Sequence, residues 1–228
     1  MIRFAQVAAG AALLVCPSIA LATTEAFRAQ GNEPSWSLHK TDEAITLKTM
    51  DGKTLTVAPV PAPTKEGEAE IFKATIDSKN FVLTLINKLC IDSMSGMPFP
   101  ISATVVLGAD TFEGCGGHPV ALLRGAWRIA EIDGTPIIDK TEPTLDFAAD
   151  GRLSGSGSCN RFFGSYTLSG EGLTISQLGS SMMMCDEKIM NQERAILEIL
   201  KKARSFSIGA GGALLLKSGD GRAITGHR

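Results

Sequence analysis

Gly151-Arg152-Leu153-Ser154-Gly155-Ser156-Gly157-Ser158-Cys159-Asn160-Arg161-Phe162-Phe163-Gly164-Ser165-Tyr166 is the stretch on which the fold turns. Its glycines suggest a phosphate cradle, but no Gly-Lys-Ser/Thr follows, so that reading fails. What remains is a tight β connection. Glycine supplies the backbone freedom, and Cys159 pins the loop to the start of a helix. Asn160 and Arg161 are then anchors, with Asn160 satisfying buried main-chain polar groups.

Working outward, residues 161–168 and 173–178 read as strands on the C-terminal side. On the N-terminal side, 126–132 is a strand carrying Trp127, turned by Asp133-Gly134, and 144–147 and 152–153 are short strands. Residues 187–204 differ: Ile189, Ile196, Leu200 and Ala203 recur on one helical face. Asp186 is the expected N-cap, and Lys201, Lys202 and Arg204 suit the far end of the dipole. Glu193 lies one step off the apolar face. As a general acid or base it needs a partner and a cleft; the simpler role is to pair with Arg161 or to cap loop amides. Strands at 205–208 and 213–217 close the region, and His227 falls in a tail expected to fray.

The preceding part, from about 26 to 122, shows only short runs at 36–38, 44–49, 53–57, 71–76, 81–86, 101–107 and 111–112. Asp51-Gly52 is a hairpin turn, and 60–67, with its prolines, reads as a loop. The fold class is therefore mainly β, in two small domains at 23–122 and 123–228.

Residues 1–22 read as a cleaved export signal: Arg3, an apolar run at 7–16, then Ala20-Leu21-Ala22. The run is too short to span a bilayer core of about 30 Å, and no second apolar stretch approaches spanning length. Cys16 offers a rival lipoprotein reading, which Val15 and Pro17 disfavour. A periplasmic or secreted chain with Cys90, Cys115, Cys159 and Cys185 implies disulfides. Three pairings are open; separations of 25 and 26 favour Cys90–Cys115 and Cys159–Cys185.

The formal net charge is −2, which removes any strong attraction to nucleic acid. It divides into 8 basic and 12 acidic residues over 23–122, 13 and 12 over 123–228, and Arg3 in the leader. A charge-guided partner should therefore meet the first domain. No nucleophile elbow, His-Glu-x-x-His or Cys-x-x-Cys motif is present, so no catalytic residue and no cofactor is assigned. Zinc on Cys90, Asp92, Cys115 and His118 competes with oxidation of the cysteines. Copper on Met182, Met183, Met184 and Met190, or on Met94 and Met97, competes with core filling by methionine.

The second domain resembles the META (HslJ-like) family. The match is carried by Gly125-Ala126-Trp127, Gly151 to Gly155, Gly157-Ser158-Cys159-Asn160-Arg161-Phe162, Gly164-Ser165-Tyr166, Met183-Met184-Cys185 and Met190-Asn191-Gln192-Glu193. Ser158 departs from it, because many members carry a second glycine there. The first domain is similar to a group of exported, membrane-associated bacterial proteins. Gly31-Asn32-Glu33-Pro34-Ser35-Trp36, Cys90-Ile91-Asp92-Ser93-Met94-Ser95 and Gly114-Cys115 carry that likeness.

The META resemblance implies a curved antiparallel sheet or partial barrel with one packed helix, in a shape resembling the lipid-binding pilotins. It also implies an envelope or stress-linked role without catalysis. On that basis the curved sheet is expected to hold a lipid-like ligand, lined by Phe162, Phe163, Met182 and Met184. The rivals are a protein-interaction module, in which the acidic first domain docks an envelope partner and the META domain is scaffold, and a metal-binding stress protein.

Overall fold

The computed structural model describes residues 26–228. The expected export signal and Cys16 lie outside them. The first sheet starts with β1 (Phe27–Asn32), β2 (Ser35–Lys40), β3 (Ile45–Thr49) and β4 (Thr54–Val57). It continues with β5 (Thr64–Glu66), β6 (Ala69–Ile76) and β7 (Lys79–Ile86). A separate ribbon of β8 (Cys90–Ile91) and β9 (Pro98–Phe99) precedes β10 (Ile101–Leu107) and β11 (Asp110–Gly116). The order is β4-β3-β2-β1-β11-β10-β7-β6-β5, an antiparallel half-barrel.

Strand alternation builds its core. Phe81, Leu83 and Leu85 of β7 and Ala103, Val105 and Leu107 of β10 are buried at every second position. β1 carries no such apolar run and was not legible. Its inward residues are Ala29 and Gly31, and the Trp36 indole occupies the space beside Gly31. A Cβ at Gly114 would strike the Gln30 main chain, so β1 and β11 lie closer than a side chain permits. The 60–67 segment, expected as loop, contains the short strand β5.

The second sheet follows α1 (Val120–Leu123). It begins with β12 (Gly125–Ile132), β13 (Thr135–Pro136), β14 (Thr144–Phe147), β15 (Arg152–Ser156), β16 (Arg161–Ser169) and β17 (Gly172–Ser180). After α2 (Glu187–Lys201) come β18 (Ala203–Ile208), β19 (Leu214–Ser218) and β20 (Ala223–His227). The order is β17-β16-β15-β14-β12-β20-β19-β18, with β13 on β12. Its end strands β17 and β18 approach each other, giving a nearly closed barrel.

Two expectations need correction here. The tail does not fray: β20 inserts between β12 and β19, in the middle of the sheet, and Ile224 is fully buried. A five-residue strand with a single large apolar side chain gives little sequence signal, yet both its edges are hydrogen-bonded. The helix ends at Lys201, and Ala203, which fits the helical period, belongs to β18.

Asp186 caps α2 by accepting a hydrogen bond from the Lys188 amide. Ile196, Ile199 and Leu200 enter the barrel core with Trp127, Leu145, Phe147, Leu153, Phe162 and Leu173. Met97 also belongs to this second core, and Phe99 packs against it, although both precede the second sheet in the chain.

Candidate functional site

Each half carries a polar lock beside a disulfide. In the barrel, α2 presents Glu193 to the 157–160 loop. Its Oε2 accepts hydrogen bonds from the amides of Cys159 (3.2 Å) and Asn160 (2.6 Å), and Oε1 accepts one from Asn160 Nδ2 (2.9 Å). A Cβ at Gly157 would collide with the Glu193 carboxylate, so the loop must be glycine there. Asn160 Oδ1 accepts from Ser181 Oγ (2.8 Å) and the Met183 amide (2.7 Å), and Nδ2 donates to the Met183 carbonyl (3.2 Å). Asn160 and Glu193 are both buried, so these bonds replace lost water.

Gln192 extends the network. Its Oε1 accepts from the Ile138 amide (2.8 Å), and Nε2 donates to Thr141 Oγ1 (3.0 Å) and Ser158 Oγ (2.9 Å). The sequence marks Gln192 only as part of the Met190-Asn191-Gln192-Glu193 motif. Its helical spacing gives no hint that it reaches two separate loops. The disulfide Cys159–Cys185 closes the arrangement. Loop 157–160, segment 181–185 and the first turns of α2 thus form one rigid unit.

Arg161 does not take part. It is exposed and leaves Glu193 to the loop amides. Strand alternation explains this: Phe162 points into the core, so Arg161 and Phe163 point out. Trp127 is a core residue whose Nε1 donates to the Leu123 carbonyl (2.8 Å), and the Arg228 guanidinium lies 4.5 Å from its ring centre.

In the first half, Asp92 is the centre. Its Oδ2 accepts from Asn32 Nδ2 (3.0 Å), and Oδ1 accepts from the Ser95 amide (2.8 Å), Ser95 Oγ (2.7 Å) and the Met94 amide (3.2 Å). Burial pushes its carboxyl up, but the bonds from Ser95, Asn32 and Met94 outweigh this and hold it below the usual carboxylate range. The Cys90–Cys115 disulfide ties the same loop to β11. Trp36 is buried, and its Nε1 donates to the Glu113 carbonyl (3.0 Å). Glu33 and Pro34 are exposed in the β1–β2 turn, and Met94 is exposed as well. Asn32, Asp92, Met94 and His118 line a cleft of about 500 Å³ that Leu168, from the β16–β17 hairpin, completes.

The expected lipid lining is not assembled. Phe162 is buried, whereas Phe163 (64 % exposed), Met182 (94 %) and Met184 (86 %) face solvent. The barrel interior is occupied by its own side chains. The candidate zinc set and the Met94–Met97 pair are not assembled either. Cys90 and Cys115 spend their sulfurs on each other, and Met97 is buried while Met94 is exposed. Among the described residues no group of three His, Cys, Asp or Glu stands in a metal-holding arrangement.

Residues 120–228 match the META domain family model. Over 94 residues the chain is 32 % identical to the heat shock protein HslJ of Escherichia coli (strain K12), covering 40 % of this chain and 66 % of that protein. The chain thus spans just under two thirds of that relative's length. An NMR structure of a protein from Burkholderia xenovorans is similar at 25 % identity and a TM-score of 0.40, covering 49 % of this chain and 88 % of that one. Another NMR structure is 28 % identical with a TM-score of 0.40, covering 48 % and 93 %.

Proposed function

We propose that this chain, which carries a META domain in residues 120–228, is an exported, non-catalytic envelope protein that supports stress tolerance by docking a protein partner on that domain's outer surface. The META family is not a known enzyme family, and the relative HslJ is named a heat shock protein. Two closed disulfides and the leader-like start favour an oxidising compartment.

One observation carries the docking reading. In the second half the interior is filled, and the large apolar side chains left exposed are Phe163 and the consecutive Met182, Met183 and Met184. Exposed apolar clusters mark interaction sites, and methionine suits adaptable contacts. The patch is not a loose loop: Asn160 grips both main-chain polar groups of Met183, and Cys185 is covalently held. A fixed backbone lowers the ordering cost of binding.

A photo-reactive residue in place of Met184, activated in heat-stressed cells, tests this. The expected result is a discrete protein adduct that disappears when Met182→Asp is added and does not form from exposed position Lys217. A lipid adduct alone, or the same adducts from both positions, would overturn the reading.

A further inference from the structure

The half-barrel of the first sheet has an open mouth. Four turns stand at one end of it: 33–34 between β1 and β2, 50–53 between β3 and β4, 77–78 between β6 and β7, and 108–109 between β10 and β11. Among them lies a pocket of about 370 Å³ floored by Leu55, Ile76, Leu107 and Phe112. Leu55 and Ile76 come from β4 and β6, on the open flank of the half-barrel, and Leu107 and Phe112 come from β10 and β11. The floor therefore crosses the barrel. Leu107 and Phe112 continue into the buried core, and Leu55 and Ile76 are half-buried. Asp51, Lys53, Asp77, Lys79 and Asp110 surround the opening.

We propose that this mouth binds a single-chain amphiphile, with its aliphatic tail on the floor and a net-neutral polar head at the rim. An apolar floor ringed by a few polar groups, at the mouth of a β-barrel, is the usual form of a small-molecule site. The volume lies at the small end for such sites, which fits one chain and excludes a two-chain lipid. The rim holds both charge signs: with Lys53 already paired with Asp51, Asp77 and Asp110 face Lys79, an excess of one negative charge that disfavours a carboxylate head and leaves partners for both ends of a zwitterionic one. The proposal is separate from partner docking on the META domain and stands or falls independently.

Calorimetric titration of the mature protein with alkylphosphocholines of six to twelve carbons, below their micelle concentrations, tests it. Affinity should rise about fourfold per methylene, the equivalent of ~0.8 kcal/mol, until the floor is covered, and then level off. Fatty acids of equal length should bind more weakly, because the rim carries one acidic group in excess. Ile76→Asp should weaken binding at least tenfold, and Leu55→Gln, a milder change on the same flank, should weaken it too. Met184→Asp should leave it unchanged. No saturable uptake, or equal uptake by Ile76→Asp and the parent protein, would overturn the proposal. So would a dimer that Ile76→Asp dissociates, because the mouth would then be covered by a second copy.

Discussion

Asn160 and Glu193, thirty-three residues apart in sequence, close on each other twice: Glu193 Oε2 accepts the Asn160 main-chain amide at 2.6 Å, and Oε1 accepts its side-chain amide at 2.9 Å. This pairing fixes the entrance of α2 against the glycine loop, and through Asn160 it fixes Met183. The barrel's surface patch is therefore set by a buried carboxylate that never reaches the surface.

Glu193→Ala should destabilise the barrel by about 3 kcal/mol, because it leaves buried donors without acceptors. Glu193→Gln should also be costly, since one end of its amide presents a donor to donors. Arg161→Ala, on an exposed side chain, should stay within about 0.5 kcal/mol of the parent protein. Urea unfolding of the three variants checks the ranking; a large loss from Arg161→Ala would contradict the geometry.

Ser158 combines strain with a bond. Its φ is +99°, a region that favours glycine, while its hydroxyl accepts from Gln192. Ser158→Gly should be nearly neutral, as relief of strain offsets a lost hydrogen bond of about 1 kcal/mol. Ser158→Ala loses the bond without the relief, so it should be the less stable of the two by thermal melting.

Both cysteine pairs should be fully oxidised in protein recovered from an oxidising compartment. Thiol counting on denatured, unreduced material should find Cys90, Cys115, Cys159 and Cys185 all unreactive. Replacing Cys159 and Cys185 together by serine should cost about 3–4 kcal/mol in the chain-entropy description of a loop of this length.

Asp92 gives a pH signature. Its folded-state pKa is lowered, so its stabilisation is fully present above the unfolded value near 3.9 and is lost as pH falls through the lower folded value. Acid unfolding below about pH 4 should therefore be less steep in Asp92→Asn, which should also be less stable at neutral pH. Equal slopes for the two proteins would show that the carboxylate is not held in its charged form.

Much of this architecture is legible in the sequence. Strands with alternating apolar residues, the Asp51-Gly52 hairpin, the α2 face and the two cysteine pairs all leave short-range signals. β1 and β20 do not, because their inward positions are small or few and their pairing partners lie far away in sequence. Asn160 reads as an anchor, but the sequence leaves Glu193 two partners, Arg161 and the loop amides, and only the strand direction of β16 turns Arg161 away. The partition of Phe162 from Phe163 follows from strand alternation, but Met182 and Met184 lie outside any regular element, so nothing local sets their direction. The mouth of the half-barrel was not legible, since Leu55, Ile76, Leu107 and Phe112 meet only through tertiary pairing.

β20 supplies a further check. Ile224→Ala should cost about 3 kcal/mol, as expected for a fully buried side chain, and removing 223–228 should unfold the barrel. A truncated chain that melts like the parent would refute the central place of this strand.

The most direct test of the docking account is tolerance itself. In cells lacking the gene, a Met182→Asp/Met184→Asp double variant should reach parental levels, melt like the parent protein and fail to restore survival under heat. Restoration equal to that of the parent would contradict the claim that the methionine patch is the working surface.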